Sequence, residues 1–289
     1  MPPLVEVFEN RLIAFLDVLG FSQRLASETP AGVVEMYCGF IDEANKKVFS
    51  QKNHFDEVTP LSNFAASKFV FDSIVLVSHP ISDPRNISNF IFATTLLLES
   101  GFTAKFPLRG AISIGDYVES VSNGVFVSEE FKNLFSCEQN IDWSGCCVLK
   151  KAESIVLAGL YGSVPAPLPE NIRGNMPVIY CEVPIKDRQR IAELNDWMWA
   201  LNWCHMLSDG EIDLGLAHLI PEKRIPTVKF LRRVRSLDGC SRQLVQGHFP
   251  PLYIRSMPST TQCRIRFTNE NDEPAEPQME IQIAFEAEL

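Results

Sequence analysis

One stretch limits the folds open to this chain more than any other. Leu12 to Leu19 is a continuous apolar run interrupted only by Asp17 and followed by Gly20. It is too short for a helix of ordinary length and reads as a buried strand. A carboxylate at the end of such a strand costs on the order of several kcal/mol of desolvation unless a cation or hydrogen-bond donors compensate it. Gly20 lets the backbone turn tightly, and Ser22 can then cap a helix beginning near Gln23.

The elements that follow can flank such a strand. The helical region extends to about Gln51, broken at Pro30, with Val33, Val34, Tyr37, Phe40, Ile41 and Ala44 on one apolar face. Lys68 to Ser78 holds two short β-branched and aromatic runs on either side of Asp72-Ser73, a hairpin with an acidic tip. Asp83-Pro84 supplies an N-cap and a first-turn proline for a helix ending at Gly101. Leu108 to Gly115 reads as a strand, Val125 to Val127 as a further extended piece, and Cys146 to Ala158 as another helix. The order β-α-β-β-α-β predicts an α+β, ferredoxin-like fold with a central antiparallel sheet and helices on one face. The first strand and the hairpin then lie side by side, and Asp17 and Asp72 face each other across neighbouring strands.

Beyond Val183 the character shifts. Arg188 to Leu207 reads as a tryptophan-rich helix whose Trp197, Trp199 and Trp203 form a core or dimer-packing face. Lys223 to Arg235 concentrates six basic residues, either as a solvated face or as a contact for triphosphate or a partner. Cys263, Ile265 and Phe267 alternate with arginines, and Met279 to Phe285 alternates with acidic and amide residues. This predicts a hairpin across the polar loop 268–278. The division expected is a domain over residues 1–185 and a C-terminal helical and β-hairpin extension, residues 186–289, packed on it.

Composition excludes several function classes. With 26 Lys+Arg against 36 Asp+Glu, the net charge of −10 disfavours a protein that coats nucleic acid, while leaving room for a local basic pocket. No window reaches the roughly 18 apolar residues of a membrane span, and the start lacks the pattern of a secretory signal, so a cytoplasmic protein with no membrane partner is expected. The 8 cysteines lack C-x-x-C spacing and read as reduced core thiols. The 5 histidines form no H-E-x-x-H pattern, and neither a Walker loop nor a G-x-S-x-G elbow is present.

Two carboxylates at strand ends, beside a glycine turn into a helix, suit two-metal phosphoryl transfer. Hard oxygens hold Mg²⁺ or Mn²⁺, and backbone amides cradle phosphate. The plainer alternative is that Asp17 caps a turn and Asp72 sits in a solvated hairpin. Arg109, in an otherwise apolar strand, either orders the site or substrate or forms a plain salt bridge.

Three segments, Phe15-Leu-Asp-Val-Leu-Gly-Phe-Ser22, Lys68-Phe-Val-Phe-Asp-Ser-Ile-Val75 and Leu108-Arg-Gly-Ala-Ile-Ser-Ile-Gly115, resemble the core motifs of class III nucleotidyl cyclases. Within that class the chain looks most like the pyrimidine (uridylate or cytidylate) cyclases of bacterial Pycsar antiphage defence, over about residues 9–185. The resemblance implies cyclisation of a nucleoside triphosphate, UTP before CTP, to its 3′,5′-cyclic monophosphate with release of pyrophosphate. It implies two Mn²⁺ or Mg²⁺ ions on Asp17, Asp72 and the Val18 carbonyl, and phosphate-binding amides from Leu19, Gly20, Phe21 and Ser22. Lys68 stands where the class often places a base-reading lysine; a solvated strand-end lysine is the alternative. Arg109 takes a substrate-binding role, a head-to-tail homodimer completes the site, and a cyclic-nucleotide-sensing effector responds to the product.

The chain departs from the class over Gly145 to Glu153, which holds neither the Asn nor the Arg of the purine cyclases' transition-state pair. Lys150 or Lys151 would replace them as point cations, with Lys151 the catalytic candidate. That departure keeps open a degenerate, nucleotide-binding sensor. A ferredoxin-like interaction domain with no nucleotide site is the third alternative.

Overall fold

The computed structural model describes residues 5–44, 48, 63–161, 177–186, 197–204, 207–236, 260–262 and 282–284. The apolar run forms the inner half of β1 (Glu6–Val18), whose residues Leu12 to Leu16 are buried. Two helices follow, α1 (Phe21–Ser27) and α2 (Pro30–Ala44), then the hairpin β2 (Ala66–Val70) and β3 (Ser73–Val77). Helix α3 (Pro84–Thr103) leads into β4 (Leu108–Ser120). In space the strands run β2-β3-β1-β4, all antiparallel, which is the expected ferredoxin-like arrangement.

The sheet then grows past β4. A short β5 (Val125–Val127) pairs with the outer end of β4, and β6 (Gly145–Val148) pairs parallel to its inner end. Next come β8 (Trp197–Leu201) and β7 (Val178–Glu182), giving 8 strands. Residues 186–289 therefore contribute a strand inside the sheet itself, between β6 and β7. Helices α4 (Phe131–Asn140), α5 (Lys150–Tyr161), α6 (Asp209–Ala217) and α7 (Pro221–Ser236) complete the described architecture.

Strand alternation assigns the faces. A Cβ on Gly101 of α3 would touch the Leu108 side chain, so α3 lies on the face of Leu108. Phe15 stacks edge-on with Phe135 of α4 at 4.5 Å and pairs with Ala111, so α4 covers the opposite face, which also carries Asp17 and Arg109. The helices are thus not confined to one face.

Several local expectations change. The first helix is entered through Gly20 in the left-handed region (φ 85°), not through a Ser22 cap, because only the glycine makes that reversal cheaply. Helix α3 runs past Gly101 to Thr103, while its Asp83 cap is as expected, accepting from the Arg85 amide at 3.0 Å. The segment from Cys146 splits into β6 and α5, since the small, buried Gly145 to Val148 backbone is claimed by β4. Residues Trp197 to Leu201 of the tryptophan-rich segment form strand β8 rather than helix, flanked by β6 and β7 and buried on both faces, and Trp203 follows in a turn. Residues 188–196, 205 and 206 of that expectation lie outside the described residues.

The C-terminal pairing is antiparallel, between β9 (Thr260–Gln262) and β10 (Gln282–Ala284), earlier than the expected first strand and within the expected second. The remainder of that hairpin lies outside the described residues. Five of the cysteines are buried free thiols and Cys38 is exposed, whereas Cys240 and Cys263 lie outside the described residues. No helix among the described residues is long and apolar enough to cross a membrane.

Gly110 marks the tightest approach of one backbone to another at a described glycine of the sheet. A Cβ there would fall 1.9 Å from the Phe15 carbonyl oxygen, so β4 can lie against β1 only with glycine at this position. Gly110→Ala should destabilise the protein by on the order of 3 kcal/mol, read as a lowered urea midpoint at unchanged m-value.

Candidate active site

The site assembles where β1 ends. Asp17 is paired with Ser73 on one side and Arg109 on the other. The β2–β3 turn is Phe71-Asp72, with exposed Phe71 at φ 55°, a backbone state that a bulky residue adopts rarely. The Val18 amide donates to the Asp72 carbonyl at 2.9 Å, tying the hairpin tip to the end of β1. Asp17 and Asp72 are thereby brought close enough to repel. Burial first, then Asp72, raises the Asp17 carboxyl above the ordinary range, against the pull of Arg109.

Arg109 organises the carboxylates. Its Nη2 lies 3.1 Å and its Nε 3.3 Å from Asp17 Oδ2, and its Nη1 donates to the Ile141 carbonyl at 2.7 Å. Glu138 of α4 also pairs with the guanidinium, its Oε1 set outside hydrogen-bond geometry, and Asp142 is 4.0 Å away. Burial pushes the Glu138 carboxyl up to about 7, Arg109 opposing and Asp17 adding to the shift. Asp142 is in turn held by Lys186 at 2.9 Å and by Lys223, which lower its pKa despite burial.

Tyr37 of α2 closes another side. Its ring packs against Phe40 and Phe106, and its hydroxyl is buried with no hydrogen-bond partner among the described residues. Burial, and then the charges of Asp72 and Asp17, push its pKa up to about 12. A buried hydroxyl beside two carboxylates is a polar group awaiting a partner.

The other expected residues separate into two groups. Gly20, Phe21 and Ser22 stand at the start of α1 beside Asp17, but the Leu19 amide already donates to the Pro107 carbonyl at 2.8 Å, which takes Leu19 out of the phosphate-binding set. Lys68 lies in register with Val75 and Phe15, on the face of Asp17, yet its ammonium pairs with Glu119 at 2.6 Å. Lys151 lies past the far end of β6, paired with Glu130 at 2.5 Å, while the near end of β6 pairs with Arg109. Glu130 accepts from Ser113, four residues beyond Arg109, or roughly 13 Å along the strand. Lys151 is therefore held about mid-strand, roughly 13 Å along the sheet from Asp17 of the same chain.

Sequence reasoning did not single out Glu138, Asp142 or Lys186, and treated Tyr37 only as part of an apolar face. Glu138 lies in an ordinary amphipathic pattern with Leu134 and Cys137, and nothing in that pattern marks it as buried. Among the described residues no group of three or more His, Cys, Asp or Glu side chains is arranged to hold a metal. A cation here would rest on Asp17, Asp72 and backbone oxygen. The repulsion between the two aspartates and the orphaned Tyr37 hydroxyl fit such an occupant, and the Arg109 guanidinium competes with it for Asp17.

No protein-family profile and no curated protein matches the sequence. Among solved structures the chain is similar to the catalytic core of a rhodopsin-guanylyl cyclase with converted specificity, in complex with ATPαS. The identity is 11%, the match covers 68% of this chain and 95% of that one, and the TM-score is 0.40. It is also similar to a bacterial light-regulated adenylyl cyclase at 12% identity, over 75% of this chain and 58% of that one, with a TM-score of 0.39.

Two predictions follow from the charge arrangement. Arg109→Ala leaves Asp17 and Glu138 uncompensated and should cost about 3 kcal/mol of stability, part of which Asp17→Asn in the same chain restores in a double-mutant cycle. Glu130, held below its usual 4.5 by Lys151 and Ser113 despite burial, contributes stability that is present above that value. The contribution is lost as pH falls through the depressed folded-state value. Glu130→Gln should therefore flatten the acid limb of the melting temperature against pH below about 4.5.

Proposed function

We propose that the protein is a nucleotidyl cyclase that converts a pyrimidine nucleoside triphosphate, UTP in preference to CTP, to its 3′,5′-cyclic monophosphate and pyrophosphate. The observation that carries this reading is the meeting of Asp17 and Asp72 at the end of β1, beside a glycine-led turn into α1. The preference for a pyrimidine, and a role for the cyclic product in antiviral signalling through a sensing effector, rest on the resemblance of the three sequence motifs to the Pycsar cyclases.

In the reaction the ribose 3′-oxygen attacks the α-phosphorus, its proton leaves to solvent or base, and the bond to the β-phosphate bridging oxygen breaks. Two divalent ions, magnesium or manganese, held by Asp17, Asp72 and the Val18 carbonyl, would supply Lewis-acid activation of the hydroxyl and neutralise the triphosphate. The chain's own contribution is positioning. The Val18–Asp72 backbone bond keeps the two carboxylates together, and Gly20, Phe21 and Ser22 offer amides to phosphate oxygens. Arg109 holds Asp17 and Glu138 in place, and a cation bound at Asp17 would compete with it for that carboxylate.

Lys151 enters the site from a second copy of the chain, since Glu130 holds it roughly 13 Å along the sheet from its own Asp17. A head-to-tail homodimer satisfies that requirement. A second reading, a nucleotide-binding sensor without turnover, is favoured by the engagement of Lys151 and Arg109 in internal ion pairs.

Incubating the purified protein with each of the four ribonucleoside triphosphates and Mn²⁺ tests the proposal. Cyclic UMP with stoichiometric pyrophosphate is expected, reduced at least about 100-fold in Asp17→Asn, which keeps the side-chain volume and an acceptor for Arg109, and in Asp72→Ala, each at a folded content checked by circular dichroism. Metal-dependent nucleotide binding without pyrophosphate would select the sensor reading, and neither binding nor product would defeat both.

A further inference from the structure

One concavity among the described residues has neither Asp17 nor Asp72 in its lining. A cleft of about 770 Å³ opens between the end of β7 and helix α7. Its lining includes four cations, Lys186, Lys229, Arg232 and Arg233, and two carboxylates, Asp142 and Glu182. In a chain of net charge −10 such a grouping runs against the overall balance. The volume falls within the range of small-molecule sites.

The helix explains how the cations come to share one wall. In α7, Thr227, Phe230, Leu231 and Val234 are buried, and Phe230 stacks on Trp143 with ring centroids 4.0 Å apart. Thr227 accepts from the Ser144 amide at 3.0 Å, which pins the helix to the sheet. Pro226, Lys229, Arg232 and Arg233 recur at spacings of three and four, and so fall together on the face beside the cleft. The Arg233 guanidinium lies 4.9 Å over the Trp197 ring, which orients it. Lys229 and Arg232 are exposed and have no ion pair among the described residues.

We propose that this cleft binds an oligophosphate group, either free or as the tail of a nucleotide. Several cations on one rigid wall, two of them arginine forks, match a ligand carrying several phosphoryl oxygens better than a single carboxylate. Asp142 lies between the cleft and the aspartate site: Lys186 of the cleft lining and Lys223 outside it hold the carboxylate, and Arg109 lies 4.0 Å away.

The proposal does not depend on turnover, so it is tested in EDTA, where no metal-dependent chemistry occurs and a failure leaves the cyclase reading intact. Isothermal titration of the full chain with inorganic triphosphate at low salt should give saturable one-to-one binding. It should weaken at least 10-fold in Lys229→Ala/Arg232→Ala, two exposed changes that spare the core, and stay within about 2-fold in Asp17→Asn. UTP binding tighter than triphosphate assigns the cleft to a nucleotide, and equal affinity assigns it to a free oligophosphate. Absence of saturable binding, binding unchanged in the double variant, binding lost in Asp17→Asn, or equal affinity for an oligoglutamate peptide would each overturn it.

Discussion

The ion pair between Arg109 and Asp17 spans the central strand pair of the sheet and is where fold and chemistry meet. Asp17 and Arg109 are register partners on β1 and β4, so the pair forms as soon as those strands align. The alignment itself needs Gly110, the only side chain small enough for the approach of β4 to the Phe15 carbonyl. Because Arg109 also reaches the Ile141 carbonyl and Glu138, the same guanidinium fixes the end of α4 against the sheet. Low dielectric makes this arrangement demanding: a buried carboxylate without its cation would cost more than the pair contributes.

Around this pair the molecule separates two kinds of electrostatics. On one side two aspartates and the Tyr37 hydroxyl leave negative charge and an unused polar group, a setting that favours a cation. On the other, the α7 wall gathers positive charge. Asp142 stands between them, bound by lysines of the positive side and facing the arginine of the negative side. The outer ends of β1 and β4 form a third region. A register shift between Phe8 and Arg11, with Asn10 at φ 52°, bends the pair, and Glu119 meets Lys68 of the far edge strand. That pairing is why a lysine on the correct face of the sheet is not directed at the aspartates.

Legibility in the sequence followed the range of the interactions. The β-α-β-β-α-β order, the hairpin tip at Asp72 and the Asp83 cap depend on nearby residues and periodicity, and they could be read directly. The Trp197 to Leu201 segment could not, because apolar residues without alternation suit a buried strand and a buried helix alike, and the neighbouring β6 and β7 decide between them. The division of Gly145 to Tyr161 into strand and helix likewise depends on pairing with β4. In the site, Asp17 was conspicuous as a charge in an apolar run. Glu138 was not, since an acidic residue on an amphipathic helix looks solvated until the helix is placed over the sheet.

By itself the sequence determined that a carboxylate must end a buried strand, that a second must sit at a hairpin tip, and that a basic run occurs late in an acidic chain. These are properties of composition and spacing, and solvation energy alone makes them informative. Tertiary structure decided which cation answers Asp17, that Lys68 and Lys151 are held by Glu119 and Glu130, and that the basic run shares a cleft with Asp142. The reason is distance: an ion pair is set by a few ångströms between side chains about 90 residues apart in sequence, as in Arg109 and Asp17 with a separation of 92, and only the packed sheet brings such groups together.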